Sequence, residues 1–323
     1  MKAKHWTTAA IAMIGTMAIA WPAMAQTYPT KSIKFVVPFA GGSATDAVAR
    51  ILGDHASRTL GQPIVIENIA GASGILAAQN VARAEPDGHT VLITTNTTHG
   101  ANQSLLKNVP YDAVNGFEPV TKLGTITLAL ITNPSVPAKS LKELIAYAKA
   151  NPGKLSFGYG SSSSRIAGEM LKSMAGIDIL PVPYKSNPQA ITDLLGGQIN
   201  IVFADISTTL PQVKSGAANG LAVSTAQRSA LAPDLPTIAE AGLPGYDLAA
   251  WFAAFVPAKT PQPVVQKLRE ALVAAVKDPA TQERLLKAGI EPESSTSEEL
   301  RTFVDTEIKK WSDIVKTAGI QPE

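Results

Sequence analysis

Ile33-Lys34-Phe35-Val36-Val37-Pro38-Phe39-Ala40-Gly41-Gly42-Ser43-Ala44-Thr45-Asp46 leads a β-branched and aromatic stretch through a glycine and hydroxyl loop into an amphipathic segment. A short apolar run bounded by turn residues fits a strand covered on both faces, so Ile33 to Val37 reads as a buried strand. Asp46 to Leu60 reads as a helix, with Val48, Ile51 and Leu52 starting its apolar face and Gly61 ending it. Strand, glycine loop and helix make the opening of an α/β unit.

The same rhythm continues outward. Ile64 to Ile66 reads as the next strand, Gly74 to Ala84 as a helix and Val91 to Thr94 as a strand, with Pro86-Asp87-Gly88 as a turn. Thr125 to Ile131 reads as a strand, and Ser140 with Glu143 reads as a capping box opening a helix. Leu155 to Gly158, Ile179 to Val182, Ile199 to Ala204 and Leu221 to Ser224 read as further strands, with helices between most of them. Such alternation predicts largely parallel sheets covered on both faces. The last part reads as helices near Pro263–Lys277, Thr281–Ala288 and Ser297–Thr317. Thr260-Pro261 is placed to start the first of these, and Thr296 with Glu299 forms another capping box. No repeat, low-complexity tract or heptad seam is present.

Two loops share a design. Phe39-Ala40-Gly41-Gly42-Ser43-Ala44-Thr45 precedes the helix at Asp46, and Gly158-Tyr159-Gly160-Ser161-Ser162-Ser163-Ser164 precedes a helix at Arg165. Glycine lets backbone approach a ligand. The first N–H groups of a helix lack internal partners and its dipole favours negative charge there. Each loop is therefore a candidate anion cradle made without basic residues. Ser and Thr also precede helices simply as caps, so both readings stand. Asp46, in a first turn, either complements the dipole or meets the ligand. Arg165 sits where the dipole disfavours a cation, so it requires an anion, a ligand or a carboxylate. Asp205, after a buried strand, is a ligand-facing group or a turn residue. Asn96 and Tyr184 complete the candidate binding set.

Composition excludes other classes. Lys2 and Lys4, the apolar run Ala9 to Ala20 and Ala23-Met24-Ala25 read as a secretory signal cleaved before Gln26. Twelve residues rise only about 18 Å as a helix, short of the roughly 30 Å hydrocarbon core. Removing 25 of 323 residues leaves 298, with Lys+Arg and Asp+Glu equal at 26 each. A neutral chain lacks the electrostatic footprint of a nucleic-acid binder or a membrane-surface protein. With Cys at 0, disulfides, zinc–thiolate sites and thiol catalysis are excluded. His55, His89 and His99 match no metal-site spacing, so neither a metal nor a cofactor is expected. No G-x-S-x-G elbow, G-x-G-x-x-G run or P-loop is present.

Ordered blocks span the mature chain. They are Ile33 to Ala40 with Asp46 and Arg50; Glu67-Asn68 with Gly71 and Gly74; Pro86-Asp87-Gly88; and Ala167-Gly168-Glu169. Val182-Pro183-Tyr184-Lys185, Asp193 to Gln198, and Leu235-Pro236-Thr237 with Ala241-Gly242 complete the series. In these the chain resembles the Bug family, the periplasmic solute receptors of tripartite tricarboxylate transporters. The resemblance implies an α/β fold, a two-domain periplasmic-binding-protein-like clamp with the ligand in its cleft. Residues 26–124 plus 248–323 would form one domain and 125–247 the other. It further implies a periplasmic, monomeric receptor that holds a small carboxylate through amides, hydroxyls and water of the two loops. Its partners would be the membrane subunits of such a transporter. The sequence departs from the family's Phe-Ala-Pro-Gly-Gly loop at Gly41 and Ser43. Its second loop is shorter and carries Arg165 where a His is common, which points toward a dicarboxylate or an aromatic acid. A ligand sensor serving a signalling partner, or a hydrolase using a loop serine, are the alternatives. Mass spectrometry of exported protein is expected to find its N-terminus at Gln26; an intact Met1 in the membrane fraction would contradict a cleaved signal.

Overall fold

The computed structural model describes residues 28–322. The leader and its cleavage site lie outside the described residues. Strand β1 (Ile33–Val37) buries all its residues but Lys34, as its apolar run requires. It enters helix α1 (Ala44–Leu60), which begins two residues before Asp46 and ends at Gly61 in a left-handed conformation. β2 (Ile64–Asn68), a single 3-10 turn Ala72–Gly74, α2 (Ile75–Ala82) and β3 (Thr90–Thr95) follow. An irregular wide turn at Thr97–Ala101 leads into α3 (Asn102–Leu105). The chain then runs through β4 (Phe117–Thr132), α4 (Leu141–Ala150), β5 (Leu155–Tyr159), α5 (Ser162–Ala175), β6 (Ile179–Pro183) and α6 (Asn187–Leu195). After β7 (Ile201–Asp205), α7 (Ile206–Lys214) and β8 (Asn219–Val223) come β9 (Ala249–Pro257), α8 (Gln262–Lys277), α9 (Pro279–Lys287), β10 (Ile290–Pro292) and α10 (Ser297–Thr317).

All ten strands belong to one connected sheet, ordered β2-β1-β3-β9-β4-β7-β5-β6, with β8 and β10 also paired to β4. The outer groups are parallel: β1 with β2 and β3, and β5 with β6 and β7. The middle is antiparallel, which corrects the expectation of largely parallel sheets: β9 runs against β3 and β4, and β4 against β7 and β8. Along β4 the partner changes. Phe117 to Thr127 pair with β9, whereas Leu128 to Thr132 pair with β7. One strand thus carries two half-sheets. The C-terminal helices return to the first half, where α8 and α9 pack on α1, and α10 packs on α3 and the Thr97–Ala101 turn.

The expected strand from Thr125 to Ile131 is the second part of β4, which begins at Phe117 and so also contains Pro119 and Gly124. Register shifts at Pro119/Thr121 and Lys122/Gly124 absorb both residues. The sequence reading missed β9 altogether. Ala249 to Pro257 is buried along nearly its whole length, so it shows no period-2 alternation. Two caps also differ. Ser140 caps α4 by accepting from Glu143 N as expected, but the Glu143 carboxylate accepts from Lys139 N instead of Ser140 N, so the box is not closed. Thr260 donates to the Pro257 carbonyl while Pro261 occupies the N-cap of α8. The box at Thr296 and Glu299 forms as expected. Among the described residues no helix is long and apolar enough to cross a membrane.

Helix α10 shows what fastens the C-terminal return. Leu300, Val304, Trp311 and Val315 form one buried stripe, each contributing roughly 2 kcal/mol by burial. Glu307 lies on the same stripe. Its Oε2 accepts from Trp311 Nε1 at 2.9 Å and, across the interface, from Trp251 Nε1 of β9 at 2.8 Å. Glu307→Ala leaves two buried indole N–H groups without an acceptor. It is expected to cost roughly 2–4 kcal/mol in denaturant unfolding, and Glu307→Gln, which keeps an acceptor oxygen, about 1 kcal/mol. Equal losses for the two variants would exclude the indole bonds as the cause.

Candidate ligand-binding site

Both glycine and hydroxyl loops lie at carboxyl ends of parallel strands, after β1 and after β5, where open α/β sheets place ligands. In the first loop Gly42 has φ +82°, which a side chain rarely tolerates. Ser43 caps α1 by accepting from Asp46 N at 3.2 Å. Asp46 then ties the loop down. Its Oδ2 accepts from Gly42 N at 3.0 Å and Arg50 Nε at 2.9 Å, and its Oδ1 accepts from Asn68 Nδ2 at 3.0 Å. The same Asn68 amide reaches the Phe39 carbonyl at 2.9 Å. Burial opposes ionisation of Asp46, but the bonds from Arg50, Gly42 and Asn68 outweigh it and hold the carboxyl below its ordinary value. The amides of Ala44 and Thr45 remain in the first turn, where a helix leaves donors unsatisfied.

The second loop is fixed differently. Ser161 caps α5 through Ser164 N at 3.2 Å, so the helix starts at Ser162, three residues earlier than expected. Gly160 permits a close approach: a Cβ there would stand 2.0 Å from the Ser186 carbonyl carbon. Its N–H donates to Asn187 Oδ1 at 2.8 Å. Ser164 donates to the Phe203 carbonyl. Ser162 and Ser163 reach across to the other half-sheet. Ser162 Oγ donates to Asn102 Oδ1 at 2.8 Å, Ser162 N donates to Thr97 Oγ1 at 3.3 Å, and Asn96 Nδ2 donates to Ser163 Oγ at 3.1 Å.

A small cavity lies between the loops. From the first half come Phe39, Ser43, Thr45 and Thr95; from the second, Gly160, Ser161, Ser163, Asn187 and Asp205; strand β9 adds Ala250 and Phe252. Its room is only about 20 Å³, enough for about one water. Asp205 is the single charged side chain among the described residues lining it. It stands at the start of α7 without capping it. Burial pushes its carboxyl up to about 6, opposed by bonds from its own N–H and from Asn187.

Several candidates are thus placed elsewhere. Asp46 is engaged in holding its loop, and Ala40, Gly41 and Gly42 shape that loop without lining the cavity. Asn96, Ser162 and Ser164 act as struts, through the bonds given above. Tyr184 is half-buried, does not line the cavity, and donates to Asp193 Oδ2 at 2.7 Å. Arg165 is buried one turn into α5, its guanidinium 5.8 Å from the Tyr159 ring centroid and outside the cavity wall. Thr95, Asn187, Ala250 and Phe252 were missed. Asn187-Pro188 at a helix start after a strand was a legible signal; Ala250 and Phe252 carried none, since antiparallel pairing of Phe252 with Thr95 brings them in.

His99 is wholly buried, stacked at 3.9 Å on Phe255, with Nδ1 2.8 Å from Thr98 Oγ1. Burial pushes its pKa down to about 3, so it is neutral. Among the described residues no cluster of three or more His, Cys, Asp or Glu is placed to hold a metal, and no loop serine bonds to a histidine.

The family model described as the tripartite tricarboxylate transporter family receptor matches residues 48–320. The chain belongs to this receptor family. It is 33% identical over 309 residues to protein BugT of Bordetella pertussis, covering 95% of each chain. A solved R. palustris protein with adipate is similar at a TM-score of 0.89 and 34% identity, over 92% of this chain and 100% of that one. MatC of Rhodopseudomonas palustris, solved with bound malate, is similar at 0.85 and 33%, over 89% and 100%. These likenesses establish the periplasmic-binding-protein-like α/β clamp. In this receptor fold the raised Asp205 value has a stability consequence. The folded chain retains a proton that the unfolded chain releases near 3.8, so stability falls as pH rises from 3.8 to about 6. The full displacement corresponds to at most about 3 kcal/mol, reduced to roughly 1–2 kcal/mol by the solvent Asp205 still meets. Asp205→Asn removes this titration. Its stability relative to wild type is expected to rise by that amount between pH 4 and pH 7 in urea unfolding; a pH-independent difference would contradict the raised value.

Proposed function

We propose that this chain is a periplasmic receptor that captures a small carboxylate and delivers it, chemically unchanged, to the membrane subunits of a tripartite tricarboxylate-type transporter. One observation carries the reading. Two helix N-termini with hydroxyl and glycine loops, α1 and α5, face one cavity whose described lining holds no cation. That arrangement suits an anion recognised by amides and hydroxyls. The adipate and malate printed for its structural relatives belong to the same chemical class. The serines of the second loop are engaged with Asn96, Asn102 and the Phe203 carbonyl, which weighs against a nucleophile role.

The domains proposed are residues 26–124 plus 248–323 and residues 125–247. The change of β4 partner at Leu128 and the start of β9 at Ala249 support crossings near these points. With so little room in the cavity, a ligand of several heavy atoms enters only if the halves part. It then favours the closed arrangement because only closure brings both loops to it. Titration of protein lacking the first 25 residues against mono-, di-, tri- and aromatic carboxylates tests the reading. Ligand at a hundred times its Kd is expected to add about 2.7 kcal/mol of stability and to be recovered intact. Recovery of altered ligand, or no binding across the panel, would overturn it.

A further inference from the structure

Asp205 presents a problem to a carboxylate receptor: a cleft built for an anion has an acid as its one charged wall residue among those described. Its partners explain how it is held. Asn187 is buried, and its Oδ1 accepts from Gly160 N at 2.8 Å, which turns its amide NH₂ toward Asp205. The second partner is the Asp205 backbone N–H. A carboxylate has about four lone-pair sites, so two donors leave acceptor capacity on the side that meets the cavity. The hydroxyls of Ser43, Thr45, Thr95, Ser161 and Ser163 share that cavity, but Ser43 and Ser161 are oriented by capping.

We propose that Asp205 is the specificity-determining residue of this cleft. It accepts a hydrogen bond from the ligand, so the receptor selects carboxylates bearing a donor, a hydroxyl or an ammonium group, over plain carboxylates of the same length. The inference rests on the carboxylate reading above and deepens it. The two helix N-termini hold the ligand's carboxylate, while Asp205 reads a group on its carbon chain. A methylene placed against Asp205 leaves a desolvated acceptor unmatched, and sites built to hydrogen-bond a polar group reject analogues that lack it. A donor at this point also favours the charged form of Asp205, whose value near 6 leaves it mostly ionised at neutral pH. The link through Asn187 to the Gly160 amide lets the same contact set the geometry of the second loop.

The test is calorimetric titration at pH 7.5 with matched plain, hydroxylated and aminated acids of three to six carbons, using wild type and Asp205→Asn. In wild type the best donor-bearing acid is expected to bind at least tenfold tighter than its plain counterpart. In Asp205→Asn that ratio is expected to fall to within about twofold of one. An asparagine at 205 can turn its own NH₂ toward that of Asn187 and lose the contact, so Asp205→Ser is measured alongside, and apo melting reports folding of both. Equal affinities for the matched acids in wild type, or a ratio preserved in both folded variants, would overturn the role of Asp205 and leave the carboxylate reading standing. Binding of no acid at all would overturn both.

Discussion

Everything in this molecule hangs on the antiparallel pairing of β4 with β9. Phe117 to Thr127 of β4 lie along Pro257 to Ala249 of β9, and β4 then continues into the other half-sheet. Each half therefore shares a covalent strand and a hydrogen-bonded ladder with its neighbour. The parallel groups on either side, β2-β1-β3 and β7-β5-β6, point their carboxyl ends at one cleft because they flank that common pair. Helix α10 secures the arrangement from behind, through Trp251 and Trp311 on one buried carboxylate. Buried charge is costly unless satisfied, so Glu307 holds the helix in one register rather than merely near the sheet.

The electrostatics of the cleft follow from what is absent from its wall. The described lining contains no lysine or arginine, and the two helix N-termini supply partial positive charge through fixed amides. Fixed dipoles need no side-chain ordering when a ligand arrives. Their positions must instead be rigid beforehand, and the polar chemistry around them serves that end. Asp46, Arg50 and Asn68 brace the first loop; Asn187 and the Phe203 carbonyl brace the second. Asp46, beside the first loop, thus acts on the backbone. Arg50 neutralises Asp46 at the rim.

Across the cleft, Asn96, Thr97 and Asn102 meet Ser162 and Ser163 directly. Each such bond contributes about 1 kcal/mol net. These contacts tie the start of α5 to the segment after β3. They also place the start of α5 within reach of the first half.

Much of the architecture was written locally. The Ile33 to Val37 run, the two glycine and hydroxyl loops, Gly61 and the Thr296–Glu299 box each depend on neighbours within a few residues, so the sequence determined them. The capped starts of α1 and α5 were legible for the same reason, since caps and glycines act on adjacent amides. Only the tertiary structure decided which of those residues line the cavity between the loops. Arg165 and Asp46 look like binding groups in a linear reading, yet one is buried outside the cavity wall and the other is bonded to its own loop. Phe252 and Ala250 reach the site through a strand buried on both faces, whose continuous apolar run erases the alternation that marks strands. Asn187 and Asp205 meet because β5, β6 and β7 are packed side by side, far from one another in sequence. Side-chain direction and long-range pairing are set by packing, and packing is not a local property of the chain.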